Sequence, residues 1–189
     1  MRCAARLLPA ALLVLFLAVA ATAQDGAPRY FETERLNAGL GPVPIDIDRN
    51  TPQATMEAFL GHATDDDWQG AAHLLDLTGY PRSEQPTAGP ELARQLSIII
   101  ERKVVIDWTD LPDRPDGLDA QAPAEAAMAG EPRRSILLWM VELDNRPVSI
   151  RLNRLKPGDG DPVWVFSEAS VENLPALSAR YGRTQFEAM

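Results

Sequence analysis

Two hydrophobic periodicities meet near residue 104, and their order constrains the fold more than any other feature of the chain. Between residues 51 and 103 the apolar side chains recur at helical spacing; from 104 to 166 they alternate or run continuously. The first pattern lines one face of a helix and the second lines a strand. The pattern predicts an α+β fold in which helices are followed by a curved antiparallel sheet.

Local signals place the elements. Thr51-Pro52 is an N-cap with proline at the first helical position, and Met56, Phe59, Leu60 and Ala63 then share one face up to the Asp65-Asp66-Asp67 break. Asp67 can cap a second helix bearing Trp68, Ala71, Ala72 and Leu75. A loop with Pro81, Pro86, Gly89 and Pro90 leads to a third helix on Leu92, Leu96, Ile99 and Ile100. Arg102 and Lys103 suit the negative end of its dipole. Val104–Trp108 is predicted as a strand, and a Pro/Asp/Ala-rich loop covers about 109–133. Ile136–Leu143, apolar on both faces apart from Glu142, is predicted as a central strand covered on both sides. Val148, Ile150 and Leu152 alternate with Ser149, Arg151 and Asn153 as a half-solvated neighbour. After a turn at Lys156–Asp161, Val163–Phe166 pairs back. Ser167 or Ser170 caps a closing helix through about Tyr181, with Pro175 near its first turn. By element order this is similar to cone-shaped folds of the nuclear transport factor 2-like or cystatin-like kind.

The first 23 residues read as a signal peptide. Arg2 and Arg6 precede an apolar run over Leu7–Ala21, and Ala21-Thr22-Ala23 suits cleavage before Gln24. Fifteen helical residues span about 22 Å, short of a hydrocarbon core of about 30 Å. Cleavage places the mature chain outside the cytoplasm, in the periplasm of a Gram-negative cell, with no later segment able to span a bilayer. It leaves 16 basic residues against 27 acidic ones, a net −11, and removes Cys3, the one cysteine. Thiol chemistry, a disulfide framework and a cysteine metal site are thereby excluded for the mature form. A nucleic-acid partner, which needs cations against its phosphates, is excluded as well. Residues 24–50 read as an extended N-terminal arm, with Val43, Ile45 and Ile47 as a short edge strand. Residues 51–182 form a single α+β domain, and 183–189 a C-terminal tail.

Little in the mature chain points to catalysis. His62 and His73 could meet if their helices pack antiparallel, and with Asp65–Asp67 could form a metal or acid–base cluster. Neither lies in a ligand motif, so both read as boundary histidines. Asp107, Asp110, Asp113, Asp116 and Asp119 recur at intervals of three. Pro112 and Pro115 favour an extended polyproline-like path there, which sets successive carboxylates about 9 Å apart, too far for one calcium ion. Trp68, Trp108, Trp139 and Trp164 read chiefly as core. An alternative reading makes the chain a small-molecule binder or enzyme with Trp68, His73, Asp76 and Trp164 lining a cavity inside the sheet. There is no nucleophile elbow and no phosphate-cradling glycine loop. No catalytic, cofactor-binding or metal-binding residue is assigned.

Three ordered blocks carry a resemblance. The first is Thr51-Pro52-x-Ala54-Thr55 with Phe59-Leu60 and Asp67-Trp68-x-x-Ala71-Ala72-x-x-Leu75-Asp76-Leu77. The second is Gly89-Pro90-Glu91-Leu92-Ala93-Arg94-Gln95-Leu96 with Arg102-Lys103 and Ile106-Asp107-Trp108. The third is Val163-Trp164-x-Phe166-Ser167, Val171, Leu174-Pro175-Ala176-Leu177 and Arg180-Tyr181-Gly182. Over about 51–182 they resemble the periplasmic, extramembrane N-terminal domain of bacterial small-conductance mechanosensitive channel family proteins. In those channels the third block leads into membrane helices and a pore, which are not found here. The resemblance implies a non-enzymatic accessory or sensing module with no pore of its own. Its partner would be an inner-membrane channel, another envelope protein or a second copy, met through Arg180, Tyr181 and Arg183.

Overall fold

The computed structural model describes residues 29–125 and 128–182; the signal segment, Arg183 and the tail lie outside the described residues. The helical part opens as its caps dictate. The Thr51 hydroxyl accepts the Ala54 N–H at 3.0 Å to start α1 (Pro52–Thr64), and the Asp67 carboxylate accepts the Gly70 N–H at 3.0 Å to start α2 (Trp68–Ala72). Helix α3 (Gln85–Lys103) starts earlier than its prolines suggest. Pro86 sits in the first turn, where a missing N–H costs nothing, and Pro90 forgoes one bond to the Pro86 carbonyl. Gly89 lets α3 approach closely: a Cβ there would stand 2.8 Å from Leu77 and 3.0 Å from Ala72.

The sheet is mixed and open, with β1 (Phe31–Thr33), β2 (Ser135–Leu143), β3 (Arg146–Pro157) and β4 (Val163–Phe166). Asn153 pairs with Ser135 and with Val165, and Leu155 with Phe31 and with Val163. Strand β4 therefore borders one edge of β3, while β2 and then β1 follow end to end along the other. β1 runs parallel to β3, so the sheet is not the purely antiparallel one predicted. Nor is Ile136–Leu143 the central strand: β3 is, and β2 lies at the border with Leu137 and Met140 exposed. The run of apolar residues in β2 misleads because only Ile136 and Val141 on it are buried.

Other expectations also change. Val43, Ile45 and Ile47 form no strand; the arm's strand is β1, and Ile47 alone of the three is buried. Val104–Trp108 forms no strand either, and Trp108–Asp110 is a single 3-10 turn. Val104 and Ile106 pack on the core while Val105 is exposed, so the alternation records burial without strand pairing. Lys156 and Pro157 end β3 instead of opening the turn. Helix α4 (Glu168–Tyr181) is capped by Ser167, whose hydroxyl accepts the Ser170 N–H, and Pro175 sits in its middle, not its first turn.

One face of the sheet packs against the helices. Met56, Phe59, Leu75, Leu96, Ile99, Ile150, Leu152, Phe166, Leu174 and Leu177 form one continuous core, with Phe59 edge-on to Phe166 at 5.1 Å. Residues 74–76 extend the sheet beyond β4. Phe166 N–H donates to the Leu74 carbonyl at 2.9 Å and Asp76 N–H to the Phe166 carbonyl at 2.8 Å. Among the described residues no helix is long and apolar enough to cross a membrane.

The long acidic loop is bound to the body. Thr51 donates to the Asp113 carboxylate at 2.8 Å, Trp164 Nε1 donates to the Pro115 carbonyl at 3.0 Å, and Gly117 lies against the Trp164 ring at φ +65°. A Cβ on Gly117 would come within 2.6 Å of that ring. Gly117→Ala is therefore expected to lower unfolding free energy by about 2 kcal/mol or more. Urea denaturation followed by tryptophan fluorescence measures this; an unchanged midpoint would show the loop does not rest on Trp164.

Candidate functional site

Three chain segments end at one pole of the molecule: the last turn of α3, the β2–β3 hairpin and the last turn of α4. The hairpin is tight because Asp144 and Asn145 both adopt positive φ, 51° and 61°, which matches the twist of the strands. Asp and Asn tolerate that conformation better than other non-glycine residues. Tyr181 joins the three segments. Its hydroxyl donates to the Glu142 carbonyl, and the Lys103 ammonium stands 4.4 Å above its ring, with the Arg180 guanidinium at 5.8 Å. Arg102 Nη1 donates to the Gly182 carbonyl at 3.4 Å, and the Gly182 N–H returns to Ser178 at 2.6 Å. A recess of about 220 Å³ remains between Glu142, Asp144, Asn145, Arg180 and Tyr181. Sequence reasoning singled out Arg180 and Tyr181. It missed Lys103 as their neighbour and the Asp144-Asn145 turn, whose two turn formers between apolar runs were a readable signal.

The histidines occupy a different place. His62 Nδ1 lies 2.8 Å from Asp67 Oδ2, so that pair closes the α1–α2 corner above Gly70. His73 is buried at the end of α2, where Arg49 Nη1 donates to its carbonyl at 3.1 Å. Burial, and then the Arg49 charge, hold its imidazole below the usual value. The Asp67 carboxyl is held low chiefly by the Gly70 N–H, against partial desolvation, with His62 adding to it. Among the described residues no group of three or more His, Asp, Glu or Cys side chains is placed to hold a metal ion.

The residues of the cavity alternative lie along the seam between α2 and β4. Trp164 is fully buried and its backbone N–H donates to the Arg49 carbonyl at 2.8 Å; Asp76 is buried and accepts the Thr78 N–H at 3.1 Å and hydroxyl at 2.5 Å. Trp68 is partly buried against the core. Backbone hydrogen bonds fill this seam at Leu74, Asp76 and Phe166. The aspartates of the loop do not form an extended polyproline-like edge. Asp107 accepts from Thr109, Asp116 from Arg114 and Leu118, and Asp119 from Gln121, so each closes a local turn, while Asp113 reaches α1.

Two buried amides were invisible to pattern reasoning. Asn37, at φ 51°, donates to the Leu75 carbonyl at 2.7 Å and accepts the Leu77 N–H at 3.0 Å. Gln85 accepts the Gly39 N–H at 2.8 Å and donates to the Leu77 and Tyr80 carbonyls at 2.9 and 3.1 Å. Compared with known proteins, the chain matches no family model, no curated protein and no solved structure.

The lowered His73 value fixes the sign of a pH effect. The unfolded imidazole takes a proton near pH 6.5 and the folded one only at lower pH, so stability falls as pH drops below about 6.5. Asp67 adds a second loss below about pH 3.9, where the unfolded carboxylate protonates first. Thermal melts at pH 7.5 and 5.5 should show a lower midpoint at 5.5 in the wild type. In His73→Gln the difference should shrink; an undiminished difference would assign it to other groups.

Proposed function

We propose that the chain is a non-enzymatic interaction module that works in the periplasm after signal cleavage, as the resemblance to the extramembrane domain of mechanosensitive channels implies. Its docking point is the pole around Arg180 and Tyr181, and its partner is an inner-membrane channel or another envelope protein. The observation that carries this reading is the fixation of Tyr181 by α3, α4 and the β2–β3 hairpin together. A tyrosine held in place with an arginine beside it is well suited to binding, because little side-chain freedom is left to lose. The helix order and the open sheet, covered by helices on one face, are compatible with a nuclear transport factor 2-like or cystatin-like arrangement, which we adopt as part of the same proposal.

Two measurements test this reading. Mass analysis of the exported protein should find a mature N-terminus at Gln24, and retention of residues 1–23 would remove the export premise. A photo-crosslinking residue in place of Arg180 should give a discrete adduct with one envelope protein, while one in place of Glu91, on the exposed face of α3, should not. Tyr181→Ala combined with Arg180→Glu should lose the adduct formed from a crosslinker at Asn145. Monomer alone from Arg180 and from Asn145 would overturn the docking pole.

A further inference from the structure

At the start of β2, away from the Tyr181 pole, lies a pocket of about 430 Å³ that collects cations in an otherwise acidic chain. Arg133, Arg134 and Arg151 line it, together with Ser135, Asp110 and Asp119. At Arg133 it is the backbone that is anchored, its N–H donating to the Asp116 carbonyl at 2.9 Å. The other two side chains are held directly: the Arg134 guanidinium stacks 4.6 Å from the Phe31 ring, and Arg151 Nε donates to Ser135 Oγ at 2.9 Å. Fixing Nε in this way leaves the Nη groups of Arg151 to other partners.

Charge balance at this pocket is incomplete. Among the described residues no carboxylate forms an ion pair with Arg133, Arg134 or Arg151. Arg133 Nε is closed off from solvent, so a ligand meets this guanidinium through its Nη groups. Asp110 and Asp119 line the same pocket, yet among the described residues neither forms an ion pair with an arginine. Three guanidinium groups against two carboxylates leave the pocket net positive. Arginine forks bind tetrahedral oxyanions through paired N–H donors, and three of them around one opening suit an oxyanion better than a neutral ligand.

We propose that this pocket binds a phosphate group, with Arg133, Arg134 and Arg151 as its donors and Ser135 as an orienting hydroxyl. The phosphate is either inorganic phosphate or a phospholipid headgroup. Asp110 and Asp119 act as repulsive neighbours that keep the affinity modest and favour a compact anion.

Nitrogen-15 NMR of the arginine Nε–H signals reports on each guanidinium, because Nε shares the charge of the Nη groups that meet the ligand. Inorganic phosphate, added at constant ionic strength against potassium chloride, should shift the Arg133 Nε–H peak saturably. Phosphatidylglycerol vesicles form the second arm: a shift with vesicles alone assigns the phosphate to lipid, and one with free phosphate alone assigns it to a soluble anion. Arg133→Gln should weaken binding by about tenfold or more, as loss of a charged hydrogen-bond donor does. Asp119→Asn, which can still accept from Gln121, should tighten it severalfold by removing a like charge, a gain that misfolding does not produce. The proposal falls if chloride shifts the peak equally, if neither phosphate source shifts it, or if Asp119→Asn weakens binding.

Discussion

The fold depends on one seam, where residues 74–76 leave α2 and run as a short parallel neighbour of β4. Two backbone hydrogen bonds through Phe166 join the helical half to the sheet half there. The Phe166 side chain simultaneously meets Phe59 of α1 in the core. Polar backbone and apolar side chain thus bind the same residue to two different elements. Without this seam the helices and the sheet would each have an open flank, since neither a short helix pair nor a four-stranded open sheet buries both its faces and its edges.

The buried amides extend that seam outward. Asn37 satisfies the Leu75 carbonyl and the Leu77 N–H just beyond it, and Gln85 satisfies Leu77 and Tyr80 while holding Gly39. These loop groups would otherwise be buried without partners, which is unfavourable by about 1–3 kcal/mol for each group. The N-terminal arm is therefore part of the folded body between residues 29 and 39, and its attachment is polar where the rest of the core is apolar. That polarity also fixes position, because an amide with both donors and acceptor engaged fits in one register only.

What the sequence disclosed was local. Thr51, Asp67 and Ser167 act through residues three positions away, so their caps could be read directly, and so could the helical stripes. What it concealed was set by pairing over long distances. The apolar composition of β2 implied a central strand, yet centrality belongs to β3 because β1, β2 and β4 all pair with it. Val104–Ile106 alternates because of burial, with no ladder to match. Of the functional candidates, Arg180 and Tyr181 meet at the end of α4, and Lys103 joins them only because α3 ends at the same pole. The arginine pocket was invisible for a similar reason: Arg133 and Arg134 precede one strand and Arg151 lies on another, and only the β2–β3 register brings them together.

The parallel strand β1 has a kinetic meaning. Phe31 pairs with Leu155, so the earliest strand of the body finds its partner only after nearly all of the chain is present. A chain that emerges N-terminus first, from a ribosome or a translocation pore, exposes Phe31–Thr33 long before β3 can receive them. Contacts this far apart in sequence close late in folding because loop closure must come first. The arm is then the last piece to be fastened, and until β3 forms it is available to whatever chaperone or protease meets the emerging chain.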